Sequence, residues 1–167
     1  MQGGEVMERR SRMLALAAAM LCAAGCAHAP ASQASTIGVE RAIIRASEGQ
    51  SGIDVAGYAL FRNRGADDAV IAAECTCAAA VELHVIRTEG AQRRMTTDWP
   101  LALPAGAQVE IAPGSAHHFM LIGIPAAIAS GDVHKLHFQL RSGRTITADF
   151  TGVSDSAQGW RDADAAN

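Results

Sequence analysis

The feature that most constrains this chain is a short-range alternation of apolar and polar residues, interrupted every few positions by turn formers. In IDVAGYALFR, the residues Ile53, Val55, Gly57, Ala59 and Phe61 fall on one side and Tyr58 and Leu60 on the other. AVELHVI sets Val81, Leu83 and Val85 against Glu82, His84 and Ile86. The runs AQVEI, HHFMLIG, HKLHFQL and RTITADF come next, separated by LPAG, APGS, ASGD and RSG. A two-residue period matches a strand, whose successive side chains point to opposite faces, and the separators carry the residues that turns favour. No run of useful length carries the period of a helix. Roughly seven or eight short antiparallel strands at this spacing predict an all-β domain, a sandwich or Greek-key barrel.

The chain before that pattern is of another kind. MERRSRMLALAAAMLCAAGC has a basic head (Arg9, Arg10, Arg12) and then an apolar run from Met13 to Ala24. That run is too short to span a bilayer as a helix and suits the core of a signal peptide, read here as residues 1–26. It ends in AAGC, which resembles a bacterial lipobox, although Ala23 stands where Leu is usual. Cleavage before Cys26 would leave that cysteine lipidated at the mature N-terminus and tie the protein to the membrane. The competing site is AHA at Ala27 to Ala29, which fits an ordinary signal peptidase and would release a soluble protein. Either cut predicts a domain that works outside the cytoplasm, in the periplasm.

Residues 27–35, rich in Ala and Ser, read as a tether. Residues 154–167, SDSAQGWRDADAAN, are polar and aperiodic and read as a flexible, frayed tail. A folded domain over 36–153 remains, large enough for one core and too small for two. With aromatics at only 4% of the chain, Val, Ile and Leu are expected to dominate that core. The formal net charge of -3, one lysine (Lys135) and scattered arginines argue against a nucleic-acid partner. No Ser/His/Asp set at recognisable spacing and no nucleotide-binding glycine motif suggests an enzyme.

Methionine placement carries the chemistry. Of 6 Met, those at Met1, Met7, Met13 and Met20 precede the domain, which keeps only Met95 and Met120. Both lie near histidines: His84, 10 residues, Met95, 22 residues, then His118-Phe119-Met120. In an extended strand His118 and Met120 share a face, with Phe119 and Leu121 turned to the core. His84 sits on the polar face of its own strand. Thioethers are soft and uncharged, with little attraction for zinc, calcium or magnesium, whereas copper(I) takes Met and His readily. They also carry no proton to lose and cannot be captured as disulfides in an oxidising compartment. His117, on the opposite face from His118, is either a spectator or a substitute ligand. His134 and His137 have no soft partner nearby in sequence and read as ordinary histidines.

With those residues in view, the chain from His84 onward resembles the periplasmic copper chaperone family called PCu(A)C. That family's motif is a His, ten residues, a Met, about twenty-one residues, then His-x-Met, and the flanks AVELH, LPAGAQVEIAPG, MLIG and SGD are similar as well. The likeness covers roughly Ile37 to Val153. It implies a cupredoxin-like β-barrel holding copper(I) through His84, Met95, His118 and Met120. It also implies a role in supplying copper to the CuA centre in subunit II of cytochrome c oxidase, alongside a Sco-like protein. Three departures stand out. The last spacing is one residue longer, which makes His117 a rival to His118 for the family position. Val85 replaces a Met that many members carry. A Cys75-Thr76-Cys77 pair precedes the first ligand strand.

As a straight strand pair, Cys75 and Cys77 sit too far apart for an unstrained disulfide, so a bridge requires a turn. A local disulfide or buried thiols, an auxiliary copper(I) site, and a thiol pair that exchanges electrons with a partner all remain open. Two alternatives to a chaperone also remain: a copper-sequestering or resistance lipoprotein, and a blue-copper electron carrier. The second needs a Cys thiolate within the site, and the chain has no Cys after Cys77.

Overall fold

The computed structural model describes residues 36–166. The expected signal segment, Cys26 and the tether up to residue 35 lie outside the described residues. The described chain forms β1 (Ile37–Arg45), β2 (Val55–Asn63), β3 (Asp68–Glu74), β4 (Ala80–Glu89), β5 (Gln92–Thr97), β6 (Leu101–Leu103), β7 (Gln108–Ile111), β8 (His117–Ile122), β9 (Val133–Leu140), β10 (Thr145–Val153) and helix α1 (Ser156–Ala165). The sheet runs β5-β4-β8-β2-β1-β10-β9-β3-β6, with β7 paired to β2. A pairing of β3 with β4 at Ala73↔Val81 closes it into a barrel. The first and last strands, β1 and β10, pair in parallel, and the other pairings are antiparallel. This is the all-β, cupredoxin-like Greek-key barrel expected from the alternation and the resemblance.

The alternation is realised residue by residue. Val55, Ala59 and Phe61 of β2, Val81, Leu83 and Val85 of β4, and Phe119 and Leu121 of β8 all point into the core. Leu136, Phe138 and Leu140 of β9 and Ile146, Ala148 and Phe150 of β10 meet them. Aromatics are few, yet all 4 Phe of the chain are fully buried there. Phe138 contacts Phe61 edge-on at 5.2 Å and Phe119 at 5.4 Å between centroids, the spacing that aromatic pairs favour. The core is therefore more aromatic than composition suggested.

Two features depart from simple alternation. Strand β1 carries a bulge between Glu40 and Ile43, with Arg41 at a positive φ of 48°. An extra residue in one strand of a pair reverses the parity of the positions beyond it. Ile37 and Val39 therefore face the core before the bulge and Ala42 and Ile44 after it, while Ile43 turns outward.

The second departure corrects the frayed tail expected after residue 153. Residues Ser156–Ala165 form a helix capped by Asp155, whose carboxylate accepts a hydrogen bond from the Gln158 backbone N–H. That cap satisfies a backbone donor that would otherwise be orphaned at a helix start. Trp160, 9% exposed, packs with Ile43 and Leu60 in a small second core outside the barrel. The bulged Arg41 holds the helix from the strand side, stacking over the Trp160 ring at 5.4 Å and pairing with Asp164.

Candidate metal centre

Strand register decides which side chains meet. On β4, burial of Val81, Leu83 and Val85 sends Glu82, His84 and Ile86 to the outer face. His84 lies directly opposite His118 of β8, and Glu82 lies opposite Met120. On the other side of β4, Met95 of β5 pairs with Ile86 and Thr97 pairs with His84. Residues opposed across an antiparallel pair share a face, so His84, Met95, His118 and Met120 all stand on the outer face of β5-β4-β8. The imidazoles of His84 and His118 meet edge to face, 5.8 Å between centroids. Met95 and Met120 occupy the rows on either side of this pair, at the diagonal distance that long side chains span. Met120 is partly exposed and borders a surface groove with Ala56, while Met95 is 49% exposed.

The two imidazoles are prepared in different ways. His84 Nε2 lies 2.7 Å from Glu82 Oε2, and Thr97 Oγ1 donates to the same carboxylate oxygen at 3.2 Å. The bond from His84 holds Glu82 below the usual carboxylate range, with Thr97 adding to it and partial burial opposing it. An ionised carboxylate accepts only, so Nε2 carries a proton, and in the neutral tautomer the lone pair is on Nδ1. That Nδ1 is buried and has no hydrogen-bond partner, a situation that costs roughly 1–3 kcal/mol unless something satisfies the atom.

His118 is only 6% exposed. Burial first, and then the neighbouring His84 and His117, push its pKa below the ordinary histidine value. It is therefore neutral at neutral pH, with a lone pair free for donation. Among the described residues no group of three or more His, Cys, Asp or Glu is placed to hold a metal. A cation drawn to the histidine pair must look elsewhere for further donors, and the thioethers on the same face are the chemistry present. The donor set is neutral, of imidazole nitrogen and thioether sulfur, and suits a soft monovalent cation.

His117 is separated from this group. It pairs with Val85 on the opposite side of β8, and its Nε2 lies 2.8 Å from Asp98 Oδ2. Asp98 also accepts from Arg87, and both bonds lower its pKa, that from His117 more. Of the two histidines competing for one position, register thus brings His118 to His84. Cys75 and Cys77 are joined as a disulfide in a turn between β3 and β4, with Cα atoms 5.1 Å apart. The local disulfide left open by the sequence is what forms, and in this state neither sulfur is a thiolate that could bind an auxiliary copper. Sequence reasoning missed Glu82 as the partner of His84. The signal was there, because Glu82 and His84 stand two apart on one strand face.

Comparison with known proteins agrees with the architecture. A family model described as "Putative lipoprotein LpqE-like" matches residues 37–151. A protein described as "Putative lipoprotein Lxx21020" from Leifsonia xyli subsp. xyli is 29% identical over 165 residues, covering 90% of this chain and 97% of that protein. Among solved structures, the copper-bound PCuAC domain from PmoF2 superposes with a TM-score of 0.58 at 22% identity, over 72% of this chain and 95% of that one. The copper(I) form of a protein from Deinococcus radiodurans gives a TM-score of 0.55 at 22% identity, over 80% and 87% of the two chains. At these identities the structural likeness fixes the fold, a PCuAC-type barrel, while the family model settles descent. The chain belongs to the LpqE-like lipoprotein family.

Proposed function

We propose that this protein is an exported copper(I) metallochaperone whose cargo is held by His84, Met95, His118 and Met120. The observation that carries the reading is the buried, unpartnered Nδ1 of His84 beside the buried imidazole of His118. Such a pair is poorly satisfied without a third party. A copper(I) ion accepts both nitrogens, and the thioethers of Met95 and Met120 complete the shell without adding charge. Glu82 acts behind His84 as an orienting carboxylate, an arrangement common behind metal-bound imidazoles. Neutral donors hold a soft cation less tenaciously than thiolates do, which suits a carrier that must release it.

The copper-bound state of the PmoF2 domain and the copper(I) state of the Deinococcus protein support the choice of cargo. We place the protein outside the cytoplasmic membrane, in the periplasm, anchored through Cys26. The recipient we infer is the CuA site of cytochrome c oxidase subunit II, with a Sco-like protein as an assisting partner. A blue-copper carrier is disfavoured, because both cysteines of the described domain are tied to one another away from the imidazoles.

The test is copper loading of the processed protein with and without ascorbate. About one copper(I) per chain, without intense visible absorption, is expected from this donor set. Met95→Leu and Met120→Leu together keep apolar bulk and remove both sulfurs, so affinity in a chelator competition should fall at least about tenfold with the fold intact. Unchanged affinity in the double variant would remove the thioethers from the site.

A further inference from the structure

We propose that Cys75–Cys77 is a thiol–disulfide exchange site, reduced by an external dithiol, with His134 moving the proton. This site does not depend on copper being the cargo. The bridge spans a sequence separation of 2. Because the restraint that a disulfide places on the unfolded chain grows with the loop it closes, this is the weakest form of structural staple. A closed barrel with a large buried core has little need of it.

The surroundings are those of an exchange site. Cys75 is 9% exposed and belongs to the core cluster, whereas Cys77 is partly exposed and lines a surface groove. The groove is otherwise bordered by Thr76, the Pro125 to Ile128 loop and His134. The β3–β9 ladder ends at Glu74↔His137, so the 75–77 turn continues beside the start of β9, where His134 stands. His134 has the same strand parity as the core residues Leu136, Phe138 and Leu140, and its Nε2 is buried with no hydrogen-bond partner. His134 thus borders the groove that admits solvent to Cys77, and packing does not explain why its buried ring nitrogen has nothing to bond. The backbone N–H of Cys77 donates to Cys75 Sγ at 3.0 Å, which stabilises negative charge on that sulfur.

These contacts assign the order of events. A thiolate of the incoming dithiol attacks Cys77 Sγ from the groove, forming a mixed disulfide as the Cys75–Cys77 bond breaks. The electron pair departs on Cys75 Sγ, where the Cys77 N–H receives it. The second sulfur of the dithiol then attacks its own partner sulfur in the mixed disulfide, closing the dithiol's disulfide and freeing Cys77. The two electrons come from the dithiol, and its two thiol protons end on Cys75 and Cys77. His134, on the groove wall, takes a proton from the incoming thiol and returns it to the leaving sulfur.

The test uses purified, copper-free protein equilibrated with mixtures of reduced and oxidised dithiothreitol in the absence of denaturant, then acid-quenched and alkylated. Two thiols should appear together and disappear on reoxidation, with circular dichroism and tryptophan fluorescence retained. Thiols that appear only when the protein is unfolded by denaturant would overturn the proposal. Brief exposure to glutathione and then peptide mapping should place the mixed disulfide on Cys77, and a mixed disulfide on Cys75 would overturn the assigned direction. His134→Ala should slow reduction by at least about tenfold while His137→Ala leaves it unchanged. Should His134→Ala unfold, His134→Gln reads the same rate. An unaltered rate in the folded variant would remove His134 from the step.

Discussion

Strands β1 and β2 carry Ile43 and Leu60 on their outer side, and helix α1 covers them with Trp160. Strands β4, β5 and β8 carry His84, Met95, His118 and Met120 on theirs, and the one helix of the described chain lies on β1 instead. Both patches arise from the same parity rule, since their residues alternate with core residues. They differ in what completes them. The first patch is apolar and completed from within the chain. The second combines soft sulfur with imidazoles whose lone pairs find no internal partner, so its completion is left to something from outside.

The contrast can be broken most forcefully at the histidine pair. His118→Ala should lower copper(I) affinity by more than about 100-fold, because losing an orienting residue alone costs roughly 10–100-fold. Chelator competition reads the affinity, and the denaturant midpoint should stay nearly constant. Trp160→Ala should do the reverse, lowering unfolding free energy by about 3 kcal/mol in urea titrations while copper affinity holds. If both variants lost copper and stability together, the two patches would not be separable.

Smaller changes sharpen the comparison. Glu82→Gln removes the charge that fixes the His84 proton on Nε2, and a fall of roughly 10-fold in affinity is expected, with little change in unfolding. The smallest effect concerns protons. His118 has a depressed pKa when folded, so the unfolded chain binds the proton more readily. The stabilisation is complete above the ordinary histidine value of about 6.5 and is lost as pH falls from there towards the folded value. Unfolding free energy of the apo protein should therefore decline with falling pH in that window, by no more than about 1.4 kcal/mol per pH unit from this group. His118→Gln should flatten that portion of the curve.

Much of the barrel was legible because a period of two is local. The inward sets of β2, β4, β8, β9 and β10 emerge from reading alternate letters, and so does the shared face of His118 and Met120. Cross-strand facts were not legible. Whether His117 or His118 meets His84 depends on register, which no single strand contains. Helix α1 was missed because its one buried anchor, Trp160, gives no apolar period. The signal that would have found it is Asp155 with Gln158 three residues later, a residue pattern that starts helices. The turn joining Cys75 to Cys77 was similarly hidden, since nothing in Cys-Thr-Cys bends the chain by itself.

The irregularity in β1 has a consequence for how this segment tolerates change. Ordinary strands accept insertions at their ends, where a connecting loop absorbs the slack. Here the surplus residue sits mid-strand and acts as a gear change, so that one continuous segment serves the barrel interior with Ile37 and Ile44 and the exterior core with Ile43. Deleting a single residue at positions 40–42 would leave an unbroken pairing, with Ile43 still opposite Tyr58 on the outside and Ile44 still opposite Gly57 on the inside. What such a shortened strand would lose is the protruding Arg41, and with it the grip on Trp160 and Asp164 of the helix.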